Sequence, residues 1–274
     1  TNAQTISGTG AEVTAALITN AVTLGAGSNA TVTGNITAEV AGNIANVTDI
    51  TAAFSGTITD SLANLADSGS MTTNFSRARG DDTDVNVVVS DNTGTLAAAD
   101  IGAVTAGTTG TVTLTNAQTI TGSGAELVAA LKTDAATLGA ASTASVTSAV
   151  TAAVAAEIAA ITSITLDSSG SGTITDTLEN LLNDGATAIS TNLSNARAED
   201  TDVKIVVSDG TGSITAAKLS LLTAATTGTV TLTNAQTITG TGAEVTAALI
   251  TDAVTLGAGS IATVSGNITA EVAG

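Results

Sequence analysis

Short runs in which apolar and hydroxyl-bearing residues alternate recur along the chain: TVTLT at 111–115, VNVVVS at 85–90, VKIVVS at 203–208 and SITL at 163–166. Alternation of this kind, β-branched and bounded by Gly, Asn, Asp or Ser, predicts buried strands. A shorter signal is a triplet with Thr, Ser or Asn, then Ile or Leu, then Thr or Ser. It is centred on Ile6, Ile36, Ile58, Ile120, Ile174, Ile214, Ile238 and Ile268, with Leu96 and Val150 as weaker members. Behind it the apolar period often lengthens to a helical one. Thr9-Gly-Ala-Glu12, Ser123-Gly-Ala-Glu126 and Thr241-Gly-Ala-Glu244 fit the capping box, and Asp176-Thr-Leu-Glu179 is a fourth case. After the cap, Val13, Ala16 and Leu17, or Leu127, Ala130 and Leu131, fall on one helix face.

The triplets are spaced 30, 22, 38 and 24 residues apart, then 30, 24, 40 and 24, then 30. Four unequal units therefore make one superrepeat of 114 or 118 residues. The superrepeats run about 1–114 and 115–232, with a partial copy at 233–274. Residues 1–42 recur at 233–274 with four differences, Ser7/Thr239, Asn20/Asp252, Asn29/Ile261 and Thr33/Ser265. A fixed period with near-identical distant copies predicts one continuous repeat window over 1–274, not two separate domains.

The expected fold is a β-solenoid with a short helical segment in each coil, an α/β solenoid drawn out into an elongated rod of about nine or ten coils. Strands of neighbouring coils stack roughly 4.8 Å apart, whereas helices pack at about 8–10 Å. Helices of Ala, Gly, Thr and Ser let backbones come closer, which favours a straighter rod. The core would be thin and aliphatic, because Phe54 and Phe75 are the only aromatic residues while 43% of the chain is hydrophobic.

Charge narrows the partners. Six basic residues against 24 acidic give a net charge of −18, which repels nucleic acid and anionic lipid. No apolar run is long enough to span a membrane. Zero His and zero Cys remove the usual general base, the thiol nucleophile and most transition-metal ligation, so the chain is not expected to be an enzyme. Gly8-Thr-Gly10 lacks the third Gly and the Lys of a phosphate loop and reads as a helix start.

Two acidic clusters are the candidate metal sites. Asp81, Asp82 and Asp84, with their copies Glu199, Asp200 and Asp202, are each followed across one strand by a Gly turn carrying Asp91 or Asp209. Alternating oxygen ligands beside such a turn suit Ca²⁺, the one cofactor this pattern would hold; the competing reading is a solvated strand entry. The inserts at 68–82 and 184–200 contain Met71, Phe75, Arg77, Arg79 and Arg197, residue types enriched at interfaces, and read either as a contact element or as an extended surface helix.

The TITDTLENLL, VKIVVSDGTGSITAAKLSLL and VTLTNAQTITGTGAEVTAAL segments resemble the Thr-, Ala- and Gly-rich tandem repeats of very large secreted bacterial surface proteins, common in cyanobacteria. The resemblance implies an adhesin-like or fibre-forming role outside the cell or at its surface, and transfers no catalytic or binding residue. The expected function is an extracellular structural protein that forms a filament, fibre or surface matrix, with itself as partner, end to end or laterally. The alternatives are the rigid stalk of a giant adhesin and a Thr-array ice-binding solenoid.

Overall fold

The computed structural model describes residues 2–161, 166–167, 173–252 and 254–266. Ile268 and the first three residues of the SITL segment lie outside the described residues. The chain opens with β1 (Thr5–Thr9), α1 (Gly10–Thr14), β2 (Ser28–Thr33), α2 (Ala38–Ala45), β3 (Ile50–Phe54) and β4 (Thr57–Asp60). Next come α3 (Leu62–Leu65), β5 (Ala66–Asp67), β6 (Ser70–Met71), α4 (Thr73–Asp81), β7 (Asn86–Val89), β8 (Gly94–Ala97) and α5 (Ala98–Gly107). The middle holds β9 (Val112–Leu114), β10 (Gln118–Gly122), α6 (Gly124–Val128), β11 (Thr143–Val146), α7 (Ala152–Ala159) and β12 (Leu166–Asp167). After it follow β13 (Thr173–Asp176), α8 (Leu178–Leu181), α9 (Thr191–Glu199), β14 (Lys204–Val207) and β15 (Gly212–Thr215). The last elements are α10 (Ala216–Thr223), β16 (Val230–Leu232), β17 (Gln236–Thr241), α11 (Gly242–Thr246) and β18 (Ile261–Ser265).

The chain divides into two compact units, one of Thr1–Thr121 with Glu126–Thr143, the other of Gly122–Ala125 with Ala144–Gly274. In the first unit β1, β2 and β3 form one parallel sheet, β4, β7 and β9 a second, and β8 pairs in parallel with β10. β5 and β6 make a small antiparallel hairpin. In the second unit β13, β14 and β16 form one parallel sheet and β15, β17 and β18 another, while β11 pairs with β12.

The regular β-solenoid rod expected above is corrected here. The fold is mixed α/β, with eleven α-helices among the described residues and several small, mostly parallel sheets. Strands of two to six residues run almost directly into helices, and the 22- to 40-residue spacing inserts unequal helices, a hairpin and turns between them. The ladders therefore stop after a few strands.

Within each unit the triplet apolar residues point inward, as period-two alternation requires. Ile58, Ile120 and Ile238 are fully buried, and Ile36, Leu96, Val150, Ile174 and Ile214 are buried too, whereas Ile6 is half-buried. They align across the ladders: Ile58 faces Val87, Ile174 faces Ile205 and Ile214 faces Ile238. Helix starts follow the capping signals at Thr9 and Thr241, where the hydroxyl accepts from the Glu12 or Glu244 N–H and the Glu carboxylate accepts from the Thr N–H. The fourth box is corrected. Thr177, not Asp176, is the cap residue of α8, and Asp176 instead reaches back to accept the Ala152 N–H at 3.0 Å.

Each of α1, α6 and α11 continues into a five-residue π-helical turn, Ala15–Thr19, Ala129–Thr133 and Ala247–Thr251. Close approach explains one repeated glycine. A Cβ on Gly110 would lie 2.4 Å from the Asp84 carbonyl oxygen, and one on Gly228 would lie 2.2 Å from that of Asp202, so both positions exclude any side chain.

Candidate functional site

The carboxylates singled out in the sequence are positioned by strand edges and helix starts, where backbone N–H groups lack partners of their own. Asp81, the last residue of α4, accepts the Ala52 N–H at 2.8 Å, and Asp82 accepts the Phe54 N–H at 2.6 Å. The pair thus takes the place of a neighbouring strand along β3. Asp91 lies elsewhere, accepting the Leu62 N–H at the start of α3 at 2.6 Å. Its copy Asp209 accepts the Leu178 N–H at the start of α8 at 2.7 Å. Asp84 and Asp202 are exposed, and their N–H groups donate to Asp82 and Asp200. Asp200 is buried, and Glu199 is exposed at the end of α9.

The first cluster is therefore split between β3 and α3, and in the second Asp209 serves α8 while Asp200 accepts from its neighbour Asp202. Among the described residues no three carboxylates gather in an arrangement that could hold a metal ion. Burial and the neighbouring Asp84 carboxyl push Asp82 above the usual aspartate range, and they outweigh the lowering by the Phe54 and Asp84 N–H groups. Glu12 and Glu244 are held below the usual glutamate range by the N–H and then the hydroxyl of Thr9 and Thr241.

Sequence reasoning missed the role of two further carboxylates. Asp60 closes a TITD segment, and its Oδ2 accepts the Ala38 N–H while its Oδ1 accepts the Ser61 N–H and the Asn64 side-chain amide. Asp176 repeats every one of these bonds with Ala152, Thr177 and Asn180. The signal was present in the shared TITD-x-L-x-N-L spacing.

The interface candidates separate. Phe75 is fully buried, so its reading as a surface contact gives way to core packing: side-chain-free Gly107 makes room for it and for Met71, which is half-buried. Arg77 is exposed on α4. Arg79 donates from Nε to the Gly107 carbonyl at 2.9 Å, whereas the Nε of its copy Arg197 is buried without a hydrogen-bond partner among the described residues.

No helix among the described residues is long and apolar enough to cross a membrane. No family model and no curated protein matches the chain. Among solved structures, a plant peptide hormone receptor, RGFR1 in complex with RGF2, aligns at 12% identity with a TM-score of 0.19. The alignment covers 99% of this chain and 36% of that one, and a likeness this weak carries no argument.

Proposed function

We propose that the chain is a non-enzymatic structural protein that assembles with copies of itself, by strand-edge pairing, into an extracellular filament or surface matrix. The supporting observation is a pair of near-identical strands in different states. β17 is paired on both edges, with β15 from Gln236↔Gly212 to Thr239↔Thr215 and with β18 from Thr237↔Ile261 to Thr241↔Ser265. β1 has the same sequence apart from Ser7 and keeps the second register, from Thr5↔Asn29 to Thr9↔Thr33. Its other edge has no strand among the described residues.

A parallel edge that no described strand covers is a template for another copy or for a further segment of the same polypeptide, and β15 on β17 is a worked example of what that edge accepts. The negative charge keeps assembled copies from collapsing sideways, because like-charged surfaces repel until salt screens them. The location outside the cell rests on the repeat resemblance alone.

Sedimentation tests the reading. The Asn29 N–H donates to the Gln4 carbonyl at 2.9 Å, and ladder alternation then turns the Ser7 N–H away from β2. Ser7→Pro therefore removes a donor from the open edge and spares the paired one. The intact chain is expected to sediment as a concentration-dependent oligomer and Ser7→Pro as a monomer. A concentration-independent monomer of the unmodified chain would overturn self-assembly and favour the stalk of a single longer polypeptide.

A further inference from the structure

The two copies of the long insert differ at one place that neither repeat architecture nor assembly uses. In the first unit the β5–β6 hairpin packs on α5, and the Gly69 N–H donates to Asp100 at 2.6 Å. In the second unit Lys218 stands where the repeat register puts Asp100 in the first. The loop there is two residues longer and folds on itself instead: Asn183 Oδ1 accepts the Thr187 and Ala188 N–H groups at 2.9 and 3.0 Å. An open cleft of about 530 Å³ remains between this loop, α8 and β15, a size within the range of small-molecule sites.

We propose that this cleft binds a neutral, hydroxyl-rich ligand, a saccharide of one or two rings. Gln236 is 3% exposed, and its Nε2 donates to the Asp209 and Gly210 carbonyls. Its Oε1 accepts no hydrogen bond among the described residues and lies against Gly212, 3.7 Å from where a Cβ there would stand. Its copy Gln118 in the first unit likewise leaves Oε1 without a partner among the described residues, but buried, whereas the Gln236 amide lines the cleft and offers it an acceptor. Glu179 and Asp184 on the rim and half-buried Lys218 on α10 make no hydrogen bond or ion pair among the described residues.

The cleft thus offers several acceptors and one cationic donor over buried Leu182 and Ile214. A hydroxyl group both donates and accepts, so a polyol satisfies the acceptors and Lys218 together and lays its C–H face on the apolar floor. An anion would meet the carboxylates, and a simple ammonium ion would leave Lys218 unused.

Titration calorimetry of the full chain with maltose, cellobiose and chitobiose tests this. At least one is expected to bind in the millimolar range or tighter. Gly212→Val should abolish that binding without unfolding the chain, because the nearest atoms to a new Cβ lie at 3.7 and 3.9 Å. Lys218→Met should weaken it about tenfold, the loss of one charged hydrogen bond. Gly94→Val, at the matching position of the first unit, should leave it unchanged. Binding of none of the three sugars, binding of butylammonium alone, or sugar binding that survives Gly212→Val with an unchanged melting temperature would overturn the proposal. Because sedimentation is not read, its failure and that of the assembly reading are distinguishable.

Discussion

The inserts 68–82 and 184–200 occupy the same place in two copies of one repeat, yet they solve the same packing problem differently. The first fills its core with Phe75 and leaves the facing position on α5 as Gly107. The second has Leu193, also fully buried, and carries buried Ala225 at the position that the repeat register matches to Gly107. One side chain shrinks as the other grows, so the summed volume is held, which is what a core at crystal-like density requires. The polar frame is kept unchanged: Asp60 and Asp176 make the same three kinds of bond, and Thr72 and Ser190 cap the following helices through the Phe75 and Leu193 N–H groups. The lesson is that backbone satisfaction is conserved between the copies, while apolar volume is free to be redistributed.

The largest expected effect tests the importance of the filled volume. Phe75→Ala should cost about 3–5 kcal/mol and Leu193→Ala about 2–5 kcal/mol, each leaving a cavity that the surroundings close only in part. Denaturant melting of each variant measures this. A cost for Phe75→Ala below that of an exposed substitution such as Arg77→Ala would mean that the first insert is not packed as described.

A mutant cycle sharpens the comparison. Gly107→Ala sets a Cβ 2.5 Å from Met71 Sδ and 3.4 Å from Phe75 Cε1, so overpacking should cost roughly 1–3 kcal/mol. Phe75→Leu and Gly107→Ala with Met71→Ile place the second unit's three residues in the first, since Ile189 stands where Met71 does, and the combined variant should be more stable than the sum of the single changes allows. Strict additivity would break the idea that the three positions compensate one another.

Much of the local grammar was readable beforehand. The triplet apolar residues are buried because a period of two admits only one inward face, and the Thr–Glu caps form because three-residue spacing brings both partners to the helix start. The division into small sheets was not readable, since periodicity reports which face of a strand is buried and not how many neighbours it has. The carboxylates were misread for a related reason. Asp81 and Asp82 look like a solvated or metal-binding run in sequence, but their partners, the N–H groups of Ala52 and Phe54, lie 29 and 28 residues away. The π-helical turns were also invisible. The Asn20 N–H reaching the Ala15 carbonyl instead of that of Ala16 has no compositional signature in an Ala-Ala-Leu-Ile-Thr segment.

That reading of the acidic cluster yields the next effect in size. Asp81→Ala and Asp82→Ala should each cost about 1–2 kcal/mol, because each leaves a strand N–H without its acceptor. If the carboxylates serve β3, the loss is the same with Ca²⁺ as with a chelator, and the unmodified chain melts at one temperature in both. A melting temperature that rises with Ca²⁺ and falls on chelation would restore the metal reading, since a ligand held only by the folded state adds stability by mass action.

The smallest effect concerns the two copies of the capped glutamate. Glu12 and Glu244 have folded pKa values below the ordinary glutamate value, so their contribution is fully present above that value and is lost as pH falls through it toward the folded one. Asp82 works in the opposite sense: its raised pKa means that stability is lost as pH climbs from the ordinary aspartate value through the folded one. Both glutamates are fully exposed, so their effect on melting is small and is seen only as a slope. The double variant Glu12→Gln, Glu244→Gln should show a shallower acid limb than the unmodified chain, with the two curves converging at low pH. Because the caps are geometric copies, with carboxylate acceptance at 2.8 Å from the Thr9 N–H and 2.7 Å from the Thr241 N–H, each single variant should account for a similar part of the change. An acid limb unchanged in the double variant would show that neither cap is held in solution. An effect confined to one of them would show that the two copies, alike in sequence, are not alike in stability.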